Sequence, residues 1–275
     1  MLEVESTVFI MKKIIGLVLL MILLVLGVFV FSRYFFNHKQ NIIKRNLLIQ
    51  MPLDLQGIKD LPNTLNPVVN KIIQEELGIE YDKNFPIFFF KKRQAITVYY
   101  VTDIYDNGEK FLFSQLDALQ IKSLPKNVTM QSEVDFFGDK KAPVVDLVAF
   151  IDDPDAELSL LNKEMKKAAH SANEKYKHSY NLDLYDVAKS ERFSFKPHLS
   201  LGHLRVGLIK EIINDTLKAN NAIERIKQRI MKVVSKALSE LTLDSRKIFF
   251  HRFVIYDLKK REYIKEYKFS SLNVV

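Results

Sequence analysis

The 275-residue chain contains no cysteine. Disulfides, thiolate metal ligands and cysteine nucleophiles are thereby excluded, and the redox compartment stays open. Glycine is scarce, at eight residues, and nowhere forms the Gly-rich turn whose backbone N–H groups cradle nucleotide phosphates. From about residue 83 onward there is no low-complexity tract and no linker. The densest acidic cluster, Asp152, Asp153 and Asp155 around Pro154, lacks the spacing of a calcium loop and stands where a helix is expected to begin, which predicts a turn and N-cap rather than a metal site. No metal and no cofactor are expected. What the chain has in excess is positive charge, +8 with a pI near 9.3, suiting a polyanionic ligand or an anionic membrane surface.

Residues 14–31 carry no charge, enough to cross a bilayer as one helix. Small residues suited to signal cleavage do not follow, so the expectation is an uncleaved single-pass anchor over 14–32 behind a polar lead, 1–13. Arg33, Lys39, Lys44 and Arg45 form the larger basic flank, which favours a cytoplasmic soluble part. A start at Met11 would nearly erase that asymmetry, and the side stays open. Residues 33–82, with Pro52, Pro62 and Pro67, read as a stalk and a first helix over 68–77 that Gly78 stops. Residues 83–275 suit one compact domain or two tightly packed lobes.

Within that domain, His198, Leu199 and Ser200 form the most informative segment. Alternation along a strand projects His198 and Ser200 together while Leu199 and Leu201 enter the core. An imidazole that titrates near neutrality beside a neutral hydroxyl donor is what a phosphate ester calls for. A second segment, Ala95, Ile96 and Thr97, has the same alternation, with Thr97 where Ser200 stands and Ala95 in the histidine's place.

With these two segments, the chain from about residue 85 onward resembles the 2H phosphoesterase superfamily, which includes 2'-5' RNA ligase-like proteins and cyclic phosphodiesterases and carries two H-x-S/T motifs in two related lobes. His198 and Ser200 match the second motif in full; Thr97 matches the first, whose histidine Ala95 replaces. The resemblance implies metal-independent chemistry on a nucleotide or RNA phosphodiester, such as a 2',3'-cyclic phosphate or a 2'-5' linkage. One histidine acts as base on the attacking hydroxyl, the other as acid on the leaving oxygen, and the two hydroxyl residues hold the phosphate. His198 would keep one proton-transfer role, with Ser200 and Thr97 on the phosphate. Positioned proton transfer is worth about 10²- to 10⁴-fold, so Ala95 implies a slow enzyme or none. Three explanations stay open: a pseudoenzyme that binds nucleotides or RNA as a membrane-tethered scaffold, another residue that enters the cleft in its place, or an engineered replacement of the histidine.

The order of elements repeats around the two segments. A strand at 95–101, a helix at 113–121 and a hairpin of 133–137 with 144–151 precede a charged helix at 155–177. The strand at 198–204 is then followed by a helix at 216–241 and a hairpin of 247–256 with 263–269. The expected fold is α+β, with two pseudo-symmetric lobes of antiparallel sheet plus helices facing each other across a central cleft, preceded by the transmembrane helix. Lys91, Lys92 and Arg93 lead into the first segment and Lys196 into the second. Arg93, Lys196 and Tyr99 are candidate substrate-binding residues, with Tyr100, Phe193 and Phe195 as further rings for base stacking; a core role for the tyrosines competes with this. His170 and His178 are expected to be solvated, His38 interfacial and His251 structural. His203, an odd number of residues from His198, is expected on the opposite face of its strand.

Overall fold

The computed structural model describes residue 21 and, from 44 to 268, all residues but 54–55, 81–85, 93, 106–107, 120–124, 140 and 193. The chain divides into two units, residues 1–44 and 45–275. The expected anchor over 14–32 lies, apart from Met21, outside the described residues. Among the described residues no helix is long and apolar enough to cross a membrane.

The strands are β1 (Lys44–Pro52), β2 (Phe88–Phe90), β3 (Ala95–Tyr105), β4 (Val128–Phe137), β5 (Val145–Asp152), β6 (His198–Leu204), β7 (Lys247–Ile248), β8 (Arg252–Asp257) and β9 (Glu262–Lys268). They join in one curled antiparallel sheet in the order β7-β4-β5-β6-β3-β1-β8-β9, with β2 also paired to β6. The fold is α+β, as expected, and its antiparallel strands run on through one continuous sheet. The two motif strands are direct neighbours, β3 against β6, and each lies on the side of the other half's hairpin: β4–β5 beside β6, β8–β9 beyond β1 on the side of β3. Long-range pairing of this kind leaves no mark in local periodicity.

The expected stalk is corrected. Residues 44–52 form an interior strand, paired to β8 from Leu47↔Asp257 to Gln50↔Val254. Their alternation buries Leu47, Ile49 and Met51 completely, as one covered sheet face demands. Arg45 in the same strand is buried and paired with Asp257 at 2.8 Å and with Glu109. The expected strand over 247–256 is broken too: β7 pairs with β4 and β8 with β1 and β9, with exposed Phe249 and His251 between them.

The helices are α1 (Gln56–Lys59), α2 (Leu61–Leu77), α3 (Glu109–Asp117), α4 (Glu157–Tyr180), α5 (Val187–Ser190), α6 (Val206–Ile213), α7 (Thr216–Ser239) and α8 (Leu243–Arg246). Gly78 ends α2 in the left-handed region, its N–H bonded to Gln74 O at 2.8 Å, a conformation that costs glycine nothing. Ile223, Ile226, Ile230, Val234 and Leu238 are buried along α7 at helical spacing and meet β4 and α2. Helix α4 lies against β3 and α3, and the acidic cluster before it behaves as the spacing predicts: Asp153 accepts from the N–H groups of Glu157 and Leu158, both at 2.9 Å.

Candidate active site

The pairing of β3 with β6 sets the site. Ile96 is opposite Leu199, both fully buried. The antiparallel register therefore puts Thr97 opposite His198 and Ala95 opposite Ser200 on the other face. Each hydroxyl residue of one strand faces the histidine position of the other. Gln50 in β1 continues the row by donating to Thr97 Oγ1 at 3.2 Å.

His198 Nδ1 lies 2.7 Å from the carbonyl oxygen of Lys196. A carbonyl only accepts, so Nδ1 carries the proton, and in the neutral ring Nε2 holds the lone pair available for proton transfer. Where β6 begins, β3 loses its partner on that side, and Asn162 of α4 donates to Val98 O at 2.5 Å instead. The space so opened is a cavity of about 350 Å³ lined by Thr97, Tyr99, His198, Lys196 and Glu191, among others. Glu191 pairs with Lys166 at 3.0 Å and with His170. Burial raises its pKa, and its bonds with Lys166 and His170 more than offset that, holding it below the usual carboxylate range. His170, expected to be solvated, is half-exposed and hydrogen-bonded to Glu191 at the edge of the site, through a contact across 21 residues that no sequence pattern announces.

The structure brings together Thr97, His198, Lys196 and Tyr99 around this cavity; Arg93 and Phe193 lie outside the described residues. Tyr99 walls the cavity rather than offering an open stacking face. It is 6% exposed, and its hydroxyl lies 3.4 Å from that of Tyr185. Burial pushes both phenols above their ordinary value.

His203 is the main correction. Leu147 pairs with Gly202 but Val148 with Ser200, so β6 carries one extra residue at Leu201. Such a bulge reverses the alternation and returns His203 to the face of His198 and Ser200. There Asp146 of β5 accepts from both partners, from His203 Nδ1 at 2.5 Å and from Ser200 Oγ at 3.3 Å. Lys91 Nζ stands 3.5 Å from the same carboxylate. Burial raises the pKa of Asp146, but the His203 hydrogen bond and the Lys91 charge outweigh it and keep the group ionised below the usual range. The signal in the sequence was Gly202, since an isolated glycine inside a strand marks a bulge or a close approach. Here a Cβ would stand 2.6 Å from the Phe88 ring and 2.8 Å from Phe89 O.

A second cavity, about 690 Å³, starts at Gln94, immediately before Ala95. Lys59, Lys91, Lys92 and Arg252 line it together with Asn63, Asn66, Phe90 and Tyr263, and among the described residues no carboxylate does, although Arg252 is also paired with Glu266 at 3.0 Å. Four cations and two rings around one hollow suit the phosphates and bases of a nucleic-acid strand.

No family model and no curated protein matches the chain. Among solved structures it is similar to Kluyveromyces marxianus Usb1, with TM-score 0.49 and 10% identity over 77% of this chain and 93% of that one. It is similar to the same protein with uridine monophosphate, with TM-score 0.49, 12% identity and the same coverage. A third is E. coli LigT complexed with 3'-AMP, with TM-score 0.34 and 14% identity over 82% of this chain and 98% of that one. Usb1 and LigT are members of the 2H phosphoesterase superfamily, the one that the two H-x-S/T-like segments resemble.

Proposed function

We propose that this chain is a 2H phosphoesterase-like protein that acts on a nucleotide or RNA phosphodiester, a 2',3'-cyclic phosphate or a 2'-5' linkage, without a metal. The observation that carries the reading is the register of β3 and β6, which gathers Thr97, His198, Ser200 and the Ala95 position on one face. The phosphate would lie between Thr97 and Ser200, with His198 Nε2 on the attacking or leaving oxygen. The basic hollow beginning at Gln94 would receive the flanking phosphates of a longer strand. An anchor over 14–32 would tether the domain to a membrane.

Ala95 supports a second reading, a membrane-tethered nucleotide- or RNA-binding pseudoenzyme that kept the site and lost the chemistry. Steady-state hydrolysis of 2',3'-cyclic nucleotides and 2'-5' dinucleotides, with binding measured separately, separates the two. On the enzyme reading, His198→Ala lowers kcat by about 10²-fold or more and leaves binding within a few fold. Turnover that His198→Ala does not touch would contradict it, and tight binding with no turnover by the unaltered protein would favour the pseudoenzyme.

A further inference from the structure

Ala95 removes an imidazole at the Ser200 end of the site, and the same end carries an unexpected one. His203 and Ser200 hydrogen-bond to the two oxygens of a single carboxylate, Asp146. With Nδ1 donating to Asp146, the ring's tautomer and orientation are set and Nε2 is left for another partner. The site then has two halves of like composition. His198 faces Thr97 across the strand pair, with its Nδ1 tied to Lys196 O; His203 stands beside Ser200, with its Nδ1 tied to Asp146.

We infer that His203, oriented by Asp146, is the second proton-transfer group of this site and acts where Ala95 lacks a histidine. The inference rests on the phosphodiesterase reading above and deepens it. On a 2',3'-cyclic phosphate, one neutral imidazole takes a proton from water as its oxygen bonds to phosphorus. The bond from phosphorus to the leaving ribose oxygen breaks, and the other, protonated imidazole gives its proton to that oxygen. The product is a phosphomonoester, and one proton has passed between the rings, to be returned through solvent. Asp146 is a positioning residue. Its charge near a phosphate is balanced by Lys91 at 3.5 Å, so with His203 protonated the cluster is net positive. His203 meets Asp146 from β5 and the Phe89 ring of β2 at 5.0 Å; the nearest charges beyond them are Lys91 on Asp146 and Arg205, 5.5 Å from the Phe89 ring.

The test is a set of kcat and KM profiles from about pH 5 to 9 on the unaltered protein, His203→Gln, Asp146→Asn, Ala95→His and the double variant Ala95→His with His203→Gln, each checked for a cooperative melt. The expected result is a bell-shaped kcat profile for the unaltered protein. His203→Gln cuts kcat by about 10²-fold or more, erases one limb and leaves KM within threefold; the double variant recovers at least tenfold of that loss. Should His203→Gln not fold, Asp146→Asn carries the test through a displaced limb, a change that a merely structural role would not produce. Turnover and profile unchanged in His203→Gln, or in Asp146→Asn when it stands in, overturn the inference while leaving the phosphodiesterase reading. So does an inactive native protein that Ala95→His alone activates. If no protein of the set turns over or binds these substrates, both fall.

Discussion

Among single residues, Gly202 decides which way His203 faces. Without its bulge His203 would face the core, and the carboxylate of Asp146 would lack its imidazole. The backbone of β2 passes so close that a Cβ at 202 meets the Phe89 carbonyl at 2.8 Å, which a side-chain rotation does not relieve. Gly202→Ala is therefore expected to destabilise by about 1–3 kcal/mol, the usual cost of overpacking, and to weaken catalysis or binding by shifting His203. A urea melt of the variant beside the parent measures the first effect; an unchanged midpoint would show that β2 yields freely.

The two H-x-S/T-like segments were legible in the sequence because strand alternation is local. His203 was assigned to the wrong face by that same rule, since counting residues assumes an uninterrupted strand. The hydrogen bond of His170 to Glu191 lay beyond any such rule, and Tyr99 could be read as platform or core until its burial decided.

At the element scale, helices and hairpins were the readable part. Helix α7 begins at Thr216 as its periodicity predicts, Gly78 stops α2, and the turn between β4 and β5 falls at Gly138 and its neighbours. Strand β1 was missed because its nine residues were read, with Pro52 and the prolines that follow, as a stalk, and because nothing nearby in the sequence pairs with it. Its partners are β8 and β3, the first about two hundred residues away. The position of β1 makes a prediction about boundaries. A protein starting at residue 41 keeps β1 and is expected to melt cooperatively, whereas one starting at residue 54 loses an interior strand and is not. Circular dichroism melts of the two truncations check it; a cooperative melt of the shorter protein would mean that β1 adds little to the fold.

At the scale of the whole molecule, the first interior strand is fastened to the last hairpin through Arg45. Its guanidinium meets Asp257 at 2.8 Å and Glu109 of α3, with Arg45 5% and Asp257 0% exposed. Removing one partner strands the other in the core, so Arg45→Met is expected to cost about 3–5 kcal/mol. The same region governs acid stability. Burial raises the pKa of Asp257, and hydrogen bonds from Lys260 N–H, Arg45 and Lys259 N–H outweigh it and hold it below the ordinary value. Glu76 is lowered chiefly by its bond from Arg225, against the effect of burial, with Arg229 adding to it. Because these folded values lie below the unfolded ones, the stability they contribute is whole above the ordinary carboxylate range, about pH 4, and drains as pH falls through the lower folded values. Melting temperature should therefore hold steady from neutrality to about pH 5 and fall below about pH 4. Asp257→Asn should lower the plateau and shallow that fall; an equally steep fall in the variant would assign acid lability elsewhere.

One face of the β3/β6 pair is proposed to receive a nucleotide phosphate. NMR of the histidine ring signals during titration with a 2'- or 3'-nucleoside monophosphate, each signal assigned by single substitution, decides this. His198 and His203 are expected to shift together and saturate at one concentration while His178 and His251 stay fixed, and Thr97→Val and Ser200→Ala are each expected to weaken that saturation about tenfold. Saturable binding that moves neither His198 nor His203 would contradict it.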